Sequence, residues 1–336
     1  MKFFFVLAFS FSLSIVLTPI ARYVALRLKI LDIPDNNRKI HTSPIPLLGG
    51  AAIAASFYIT LLLNFSFSWE FKGVVLGAFI IGLVGTLDDI FGLSASFRFL
   101  VQIFVALFVT LFNIKVTFLP NTWWGVIGEY IITVLWIVGI TNAVNFIDGL
   151  DGLAVGLTSI SCLFFFIIAQ ITHQVYLAYI SLSLLGASLG FLCFNFHPAK
   201  IFLGDGGALF LGFILAGLGI MGEWQRYNFV VALSIPCLIL SVPIYDIIYI
   251  TVERILTKKV KNIKDFLEYV GKDHLHHRLM NLGFSQIQTV SFIYALGAVF
   301  GISALVLRDM STPNCLLTIL QALLLYVILS FIMMRR

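Results

Sequence analysis

The chain reads as an all-α, polytopic integral membrane protein, and three observations lead there. Hydrophobic residues make up 60% of the 336, charged residues only 11%, and 33 residues are Phe. Soluble domains sit near about 45–50% apolar and roughly 25% charged, so so little charge cannot cover a water-facing surface. That composition excludes a cytosolic enzyme, a disordered chain and a disulfide-stapled secreted module. Secondly, apolar runs long enough to cross hydrocarbon as helices recur along the whole chain. Thirdly, Lys and Arg collect on alternate loops, as membrane topology requires.

Taken in order, eleven such runs lie near 2–26, 46–63, 71–90, 95–113, 126–146, 152–171, 174–194, 206–222, 229–250, 287–306 and 314–333. The first begins like a signal sequence, with Lys2 ahead of an apolar stretch. It continues through Tyr23–Leu26 with no small-x-small cleavage site, so it reads as an anchor. Eleven spans put the termini on opposite faces. The loops after odd-numbered spans, with the C-terminus, hold Arg22, Arg27, Lys29, Arg38, Lys39, Arg98, Lys200, seven basic residues from Arg254 to Arg278, Arg335 and Arg336. Only Lys2, Lys72, Lys115, Arg226 and Arg308 fall on the other side. The rich side is cytoplasmic, which places the N-terminus outside and the C-terminus in the cytoplasm.

Residues 1–336 read as a single membrane domain with cytoplasmic loops near 27–48, 88–95, 142–152, 195–206 and 251–286. The net charge of +5 is accounted for by this topology and calls for no nucleic acid. Cys162, Cys193, Cys237 and Cys315 form no C-x-x-C pair and read as inert thiols in apolar surroundings.

The acids are less easily explained. Twelve of the sixteen fall on the cytoplasmic side, and only Glu70, Glu129, Glu223 and Asp309 do not. The charge rule concerns Lys and Arg and gives Asp no reason to follow. An acid at the bilayer midplane costs roughly 2.5–3.5 kcal/mol, so acids at span ends need a purpose.

Five cytoplasmic motifs carry them. Gly85-Thr86-Leu87-Asp88-Asp89 closes span three; two adjacent carboxylates call for a cation or a phosphate, or form an acidic helix end in the headgroup layer. Asn142 to Gly152, NAVNFIDGLDG, stacks two Asn, two Asp and two Gly in an apolar run. The glycines permit an unwound backbone, and the oxygens suit a hard cation or a nucleobase, or a polar turn. Phe202-Leu203-Gly204-Asp205-Gly206-Gly207 precedes span eight. There Asp205 is an N-cap, or the helix start leaves N–H groups free to meet phosphate.

In the fourth, Asp273-His274-Leu275-His276-His277-Arg278-Leu279, a helix puts His274, His277 and Arg278 on a polar flank. Leu275, Leu279 and Leu282 would then lie on the membrane. Basic donors for a diphosphate, a zinc site and a plain interfacial helix all fit, although no Cys joins the histidines. The oxygen-rich turns elsewhere favour magnesium. The fifth motif, Arg38-Lys39-Ile40-His41-Thr42-Ser43-Pro44 through Gly50, is a topology signal or a rigid entry to span two.

Together and in this order, RKIHTSPIPLLGG, GTLDD, NAVNFIDGLDGLA, FLGDGGA, PIYD and DHLHHRL resemble the polyprenyl-phosphate N-acetylhexosamine-1-phosphate transferases over about residues 32–285. The ending HLHHRL is similar to the branch that makes undecaprenyl-diphospho-GlcNAc. The muramyl-pentapeptide branch instead carries three consecutive His. The resemblance implies transfer of GlcNAc-1-phosphate from UDP-GlcNAc to undecaprenyl phosphate with Mg2+, or Mn2+ in its place, at the cytoplasmic face of the plasma membrane. Another UDP-N-acetylhexosamine or UDP-MurNAc-pentapeptide is the alternative donor, and a homodimer is compatible with the family.

The resemblance also implies roles. Asn145 and Asp205 match metal ligands; Asp88 and Asp89 match the acidic pair near the lipid phosphate; Asp148 is an essential acid close to the metal. Asp151, with the backbone near Gly149, matches uridine recognition, while His274, His276, His277 and Arg278 match donor diphosphate and sugar contacts. Lys39 and His41 join the substrate-binding set, and His277 the catalytic one. A secondary transporter is the rival class, but it would spread such groups near the midplane.

Overall fold

The computed structural model describes residues 2–34, 43–64, 68–225, 228–269 and 271–334. Lys39 and His41 lie outside the described residues. The architecture is all-α apart from one antiparallel pair, β1 (Leu31–Asp32) with β2 (Ile45–Pro46).

The helices are α1 (Lys2–Leu28), α2 (Gly49–Asn64), α3 (Trp69–Phe91), α4 (Ala95–Thr110), α5 (Trp123–Ile147), α6 (Leu153–Ile171) and α7 (Val175–Asn195). There follow α8 (Gly204–Met221), α9 (Phe229–Ile239), α10 (Ser241–Leu256), the short α11 (Ile263–Glu268) and α12 (Leu275–Asn281), α13 (Gln286–Leu307) and α14 (Thr312–Met334). Among the described residues, eight helices are long and apolar enough to cross a membrane, and the pair α9 and α10, bent by 81°, makes up to nine when counted as one broken span. The shorter α2 and α4 are also apolar. Each of the eleven apolar runs therefore coincides with a helix or a bent pair of helices.

Local chemistry sets many of the ends. Ser68, Ser94 and Thr122 accept from the N3 amides of α3, α4 and α5, and Ser285 with Gln288 closes a capping box on α13. The bend between α9 and α10 has a cause in Pro243, which has no N–H to give the Ile239 carbonyl. The Ser161 hydroxyl of α6 donates to that carbonyl instead, at 3.3 Å.

α6, α7 and α8 form the buried centre, while α1 and α14 present mostly outward apolar surface. α1 is bound to α7 through small residues. Ser10 and Ser14 donate to the Ser183 and Ala187 carbonyls at 2.6 and 2.7 Å. Gly186 and Gly190 let the two backbones approach that closely. A Cβ on Gly50 would fall 2.2 Å from the Gly207 Cα, and one on Gly85 2.6 Å from the Gly206 Cα. These two contacts bring α2 and α3 onto the first turn of α8.

Two expectations change. Leu275 and Leu279 do not lie on the membrane: both are buried in the core, and Leu282 packs against it. The apolar side of α12 is covered by α13, because the sequence periodicity shows which side is apolar but not what covers it. Nor is Asp205 the N-cap of α8. Leu203 holds that position without a side-chain bond, and Asp205 sits in the first turn.

Candidate active site

The last turn of α3 delivers Asp88 and Asp89 to the start of α8. Asp89 accepts from the backbone N–H of Asp205 at 2.8 Å and of Gly206 at 3.0 Å. The opening amides of α8, expected to be free for phosphate, are thus taken by a carboxylate of another helix. The arrangement is favourable because a negative charge meets unpaired N–H groups at the positive end of the helix dipole.

The Asp205 side chain turns to two neighbours. Its Oδ1 accepts from Asn145 Nδ2 at 2.9 Å. Its Oδ2 accepts from the Arg98 guanidinium, which also donates to Asp88. Helices α3, α4, α5 and α8 each supply one side chain to this cluster. One turn on along α4 and one turn back along α5, the amides of Gln102 and Asn142 donate to each other and fix the register that places Arg98 and Asn145. A narrow crevice beside them is lined by Phe99, Phe146 and Leu209.

Asp148 follows as the C-cap of α5, its N–H on the Asn145 carbonyl at 3.2 Å. Burial, and then the negative charges of Asp205, Asp89 and Asp151, push its carboxyl up to about 8. Next to it, Gly149 has no room for a side chain: a Cβ would stand 2.2 Å from His276 Nε2. His276 is buried with neither ring nitrogen hydrogen-bonded. Burial, with His277 and His274 nearby, holds it well below the ordinary histidine range, so it is a neutral imidazole.

The other predicted residues distribute as follows. His274 is tied through Nδ1 to Asp246 Oδ2 at 2.7 Å, and Asp246 Oδ1 accepts the Leu275 N–H at 2.7 Å. The ring of His277 lies 4.3 Å from that of His276. Arg278 turns away from both: its guanidinium is on Glu253, the Asp273 carbonyl and the Tyr249 ring. Asp151 accepts from the Ala199 N–H at 3.0 Å and pairs with His197 Nδ1 at 2.8 Å. Gly152, in the left-handed region at φ 77°, donates its N–H to Asn195 Oδ1 at 3.1 Å. Its carbonyl accepts from the Tyr294 hydroxyl at 2.5 Å.

The structure therefore gathers Asp89, Asn145 and, through Arg98, Asp88 around Asp205, and sets Gly149 onto His276. It leaves Arg278 on a separate flank. Among the described residues, no three His, Cys, Asp or Glu side chains converge as a ready-made metal cage. In the sequence Arg98 stands only as a topology charge, and Asp246 lies within PIYD without a role. Arg98 follows Asp89 by nine positions across a helix break, a spacing that carried no signal until α3 and α4 were seen side by side. Asn195, His197 and Tyr294 had no local signal at all.

Comparison with known proteins gives the chain its place. The sequence pattern of Glycosyl transferase family 4 matches residues 71–223. The chain is 40% identical over 312 residues, 90% of its own length and 85% of the relative's, to the probable undecaprenyl-phosphate N-acetylglucosaminyl 1-phosphate transferase of Bacillus subtilis. It belongs to glycosyl transferase family 4. Within that family it is also 32% identical over 311 residues (82% of the chain, 76% of the relative) to a decaprenyl-phosphate N-acetylglucosaminephosphotransferase of Mycobacterium leprae. It is 30% identical over 282 residues (77% of the chain, 84% of the relative) to a phospho-N-acetylmuramoyl-pentapeptide-transferase of Staphylococcus aureus. The chain is a multi-pass membrane protein that transfers a sugar phosphate. Family membership leaves the transporter reading without support.

Proposed function

We propose that the chain transfers GlcNAc-1-phosphate from UDP-GlcNAc to undecaprenyl phosphate, giving undecaprenyl-diphospho-GlcNAc and UMP. We place residues 1–336, as one domain of eleven spans, in the plasma membrane with the site facing the cytoplasm. The observation that carries the reading is the convergence of Asp88 and Asp205 on Arg98, with Asn145 on Asp205, where α3 and α5 end and α8 begins. An acceptor that is a lipid and a donor that is a nucleotide sugar can meet only at such a boundary.

The oxygen donors fit magnesium. That ion is usually held by one or two carboxylates, water and substrate phosphates rather than by an all-protein cage. Here the Arg98 guanidinium already stands as a cation where two carboxylates converge. Asp205 and Asn145 would hold Mg2+, or Mn2+ in its place, and the bound ion supplies charge neutralisation for the diphosphate and the departing UMP.

The chain's own groups account for the rest. A lipid phosphate oxygen attacks the phosphorus that bears GlcNAc; the bond to the bridging oxygen breaks, and its electron pair leaves with UMP. An alkyl phosphate has a second pKa near about 6, so it arrives largely dianionic and needs no general base. Asp88 then positions Arg98 rather than taking a proton. Asp89 acts one step back, by holding the first turn of α8 so that Asp205 faces inward. We give the donor to Asp148, the Gly149–Asp151 loop, His276 and His277, since the unpartnered His276 nitrogens lie against that loop. Arg278 is occupied by Glu253 and is left to hold α12 against α10.

Membranes carrying the chain, supplied with undecaprenyl phosphate and UDP-GlcNAc labelled in the sugar, should form labelled lipid and release UMP. Label entering lipid only from UDP-MurNAc-pentapeptide or another UDP-N-acetylhexosamine would replace the donor. Label in neither would remove the reading.

A further inference from the structure

The segment between α10 and α13 encloses a polar cavity of about 260 Å³ that the chemistry above does not use. Its walls include Lys259, Tyr269, Lys272, Asp273, Arg278 and Met333. Successive helical residues turn by about 100°, so Arg278 stands roughly 200° round α12 from His276. The cavity therefore opens on the side of α12 away from Gly149.

Its charge is unbalanced. Arg254 forms a two-pronged pair with Asp273, 2.8 Å on each prong, between the rings of Phe266 and Tyr269. Burial alone would raise the Asp273 carboxyl; Arg254 outweighs it and holds Asp273 below the ordinary carboxylate range. Glu253 is shared by Arg278 and Lys259, the latter at 3.5 Å. Lys272 has no carboxylate partner among the described residues and is exposed. Four cations thus face two acids, and the surplus is positive.

The cavity also has an apolar side. Met333 belongs to the last turn of α14, and Leu282 caps α12. The ends of α10 and α14 carry outward-facing Ile255, Leu256, Phe331 and Ile332, each about half exposed or more. A pocket at the ends of two lipid-facing helices lies at the depth of phospholipid headgroups, where basic clefts attract acidic lipids.

We infer that this cavity binds the phosphodiester headgroup of an anionic phospholipid, with Lys259 and Lys272 as its donors and the acyl chains lying along α10 and α14. The inference rests on the membrane embedding of the chain and not on the transfer reaction. Phosphate oxygens accept charge-assisted hydrogen bonds from both lysines, and a headgroup bound there would join α10, α12 and α14.

The test uses the full chain purified in a neutral detergent, with Lys259→Gln/Lys272→Gln and the exposed single variant Lys272→Gln beside it. Phosphatidylglycerol should raise the melting temperature of the unaltered chain by at least about 3 °C through preferential binding to the folded state. The rise should fall by half or more in the double variant and by less in the single one. Phosphatidylcholine and inorganic phosphate should do little to any of them. Equal responses in all three proteins would overturn the site. So would a response to phosphatidylcholine or free phosphate as large as that to phosphatidylglycerol. Turnover in detergent alone should be unchanged in both variants; its loss would assign the cavity to the reaction instead of to a structural lipid.

Discussion

Asp89 of α3 accepts the backbone N–H of Asp205 at 2.8 Å and so caps a helix that is not its own. Two carboxylates adjacent in sequence therefore do different work: Asp88 meets a guanidinium, and Asp89 holds a backbone. The difference separates the effects of substitution. Asp89→Asn keeps one acceptor oxygen but loses the charge at the helix start, and should cost about 1 kcal/mol of stability as well as activity. Asp205→Asn should leave the melting temperature close to that of the unaltered chain while turnover collapses. Thermal melts of both variants, beside initial rates, check this; a stable, active Asp89→Asn would remove the capping role.

Arg98→Gln leaves Asp88 and Asp205 facing each other without their shared cation. Turnover should fall, and the variant should gain more thermal stability from Mg2+ than the unaltered chain does. A variant whose melting temperature ignores Mg2+ would mean that these carboxylates do not accept a divalent ion.

Asp148 yields a pH prediction. Its folded pKa of about 8 lies above the ordinary carboxylate value near about 3.9. Between those values the folded chain holds a proton that the unfolded chain has lost, so stability from this group declines as pH rises through about 8. Asp148→Asn mimics the protonated acid and should raise the melting temperature more at about pH 9 than at about pH 6. Equal shifts at the two pH values would show that the carboxyl is not held neutral.

Tyr294→Phe removes one hydroxyl from the Gly152 carbonyl and keeps the ring. The net cost to folding should be about 1 kcal/mol, yet the Asp148–Gly152 loop loses its tie to α13. We expect a higher KM for UDP-GlcNAc with the KM for undecaprenyl phosphate nearly unchanged. Saturation curves for each substrate read this directly, and equal changes in both would reduce Tyr294 to a packing residue.

Gly149→Ala puts a methyl where His276 Nε2 now stands. Because both ring and loop are backed by packed helices, the clash should displace the loop and lower turnover by at least about tenfold, roughly 1.4 kcal/mol. Adding His276→Ala makes room for the methyl. If recovery of loop position is what matters, the double variant should bind UDP-GlcNAc better than Gly149→Ala alone.

Much of this was legible beforehand because lipid imposes simple rules. Span length and hydropathy located the long apolar helices to within a few residues, though neither the bend that divides 229–250 into α9 and α10 nor the short α11, and broken apolar runs marked the loops that carry Asp88, Asn145 and Asp205. What the sequence concealed are relationships between elements. The side of α12 bearing Leu275 and Leu279 was correctly seen as apolar, but burial under α13 and contact with lipid look alike in one dimension. Arg98 was assigned to topology because its two carboxylates arrive from α3 and α8. Arg278 looked available for phosphate because Glu253, 25 residues earlier, gave no sign that it would be its partner.

The seam between α1 and α7 bears on how the chain is made. Ser10 and Ser183 are 173 residues apart, and ribosomes add roughly 5–20 residues per second. For about 10–35 s, therefore, the first helix waits in the bilayer while its partner does not yet exist. Its serines can spend that time bonded to carbonyls one turn back in their own helix, which keeps a polar stripe tolerable in oil. When α7 arrives, the two hydroxyls exchange those local partners for the Ser183 and Ala187 carbonyls. The seam between α1 and α7 thus closes only once Ala187 has been made.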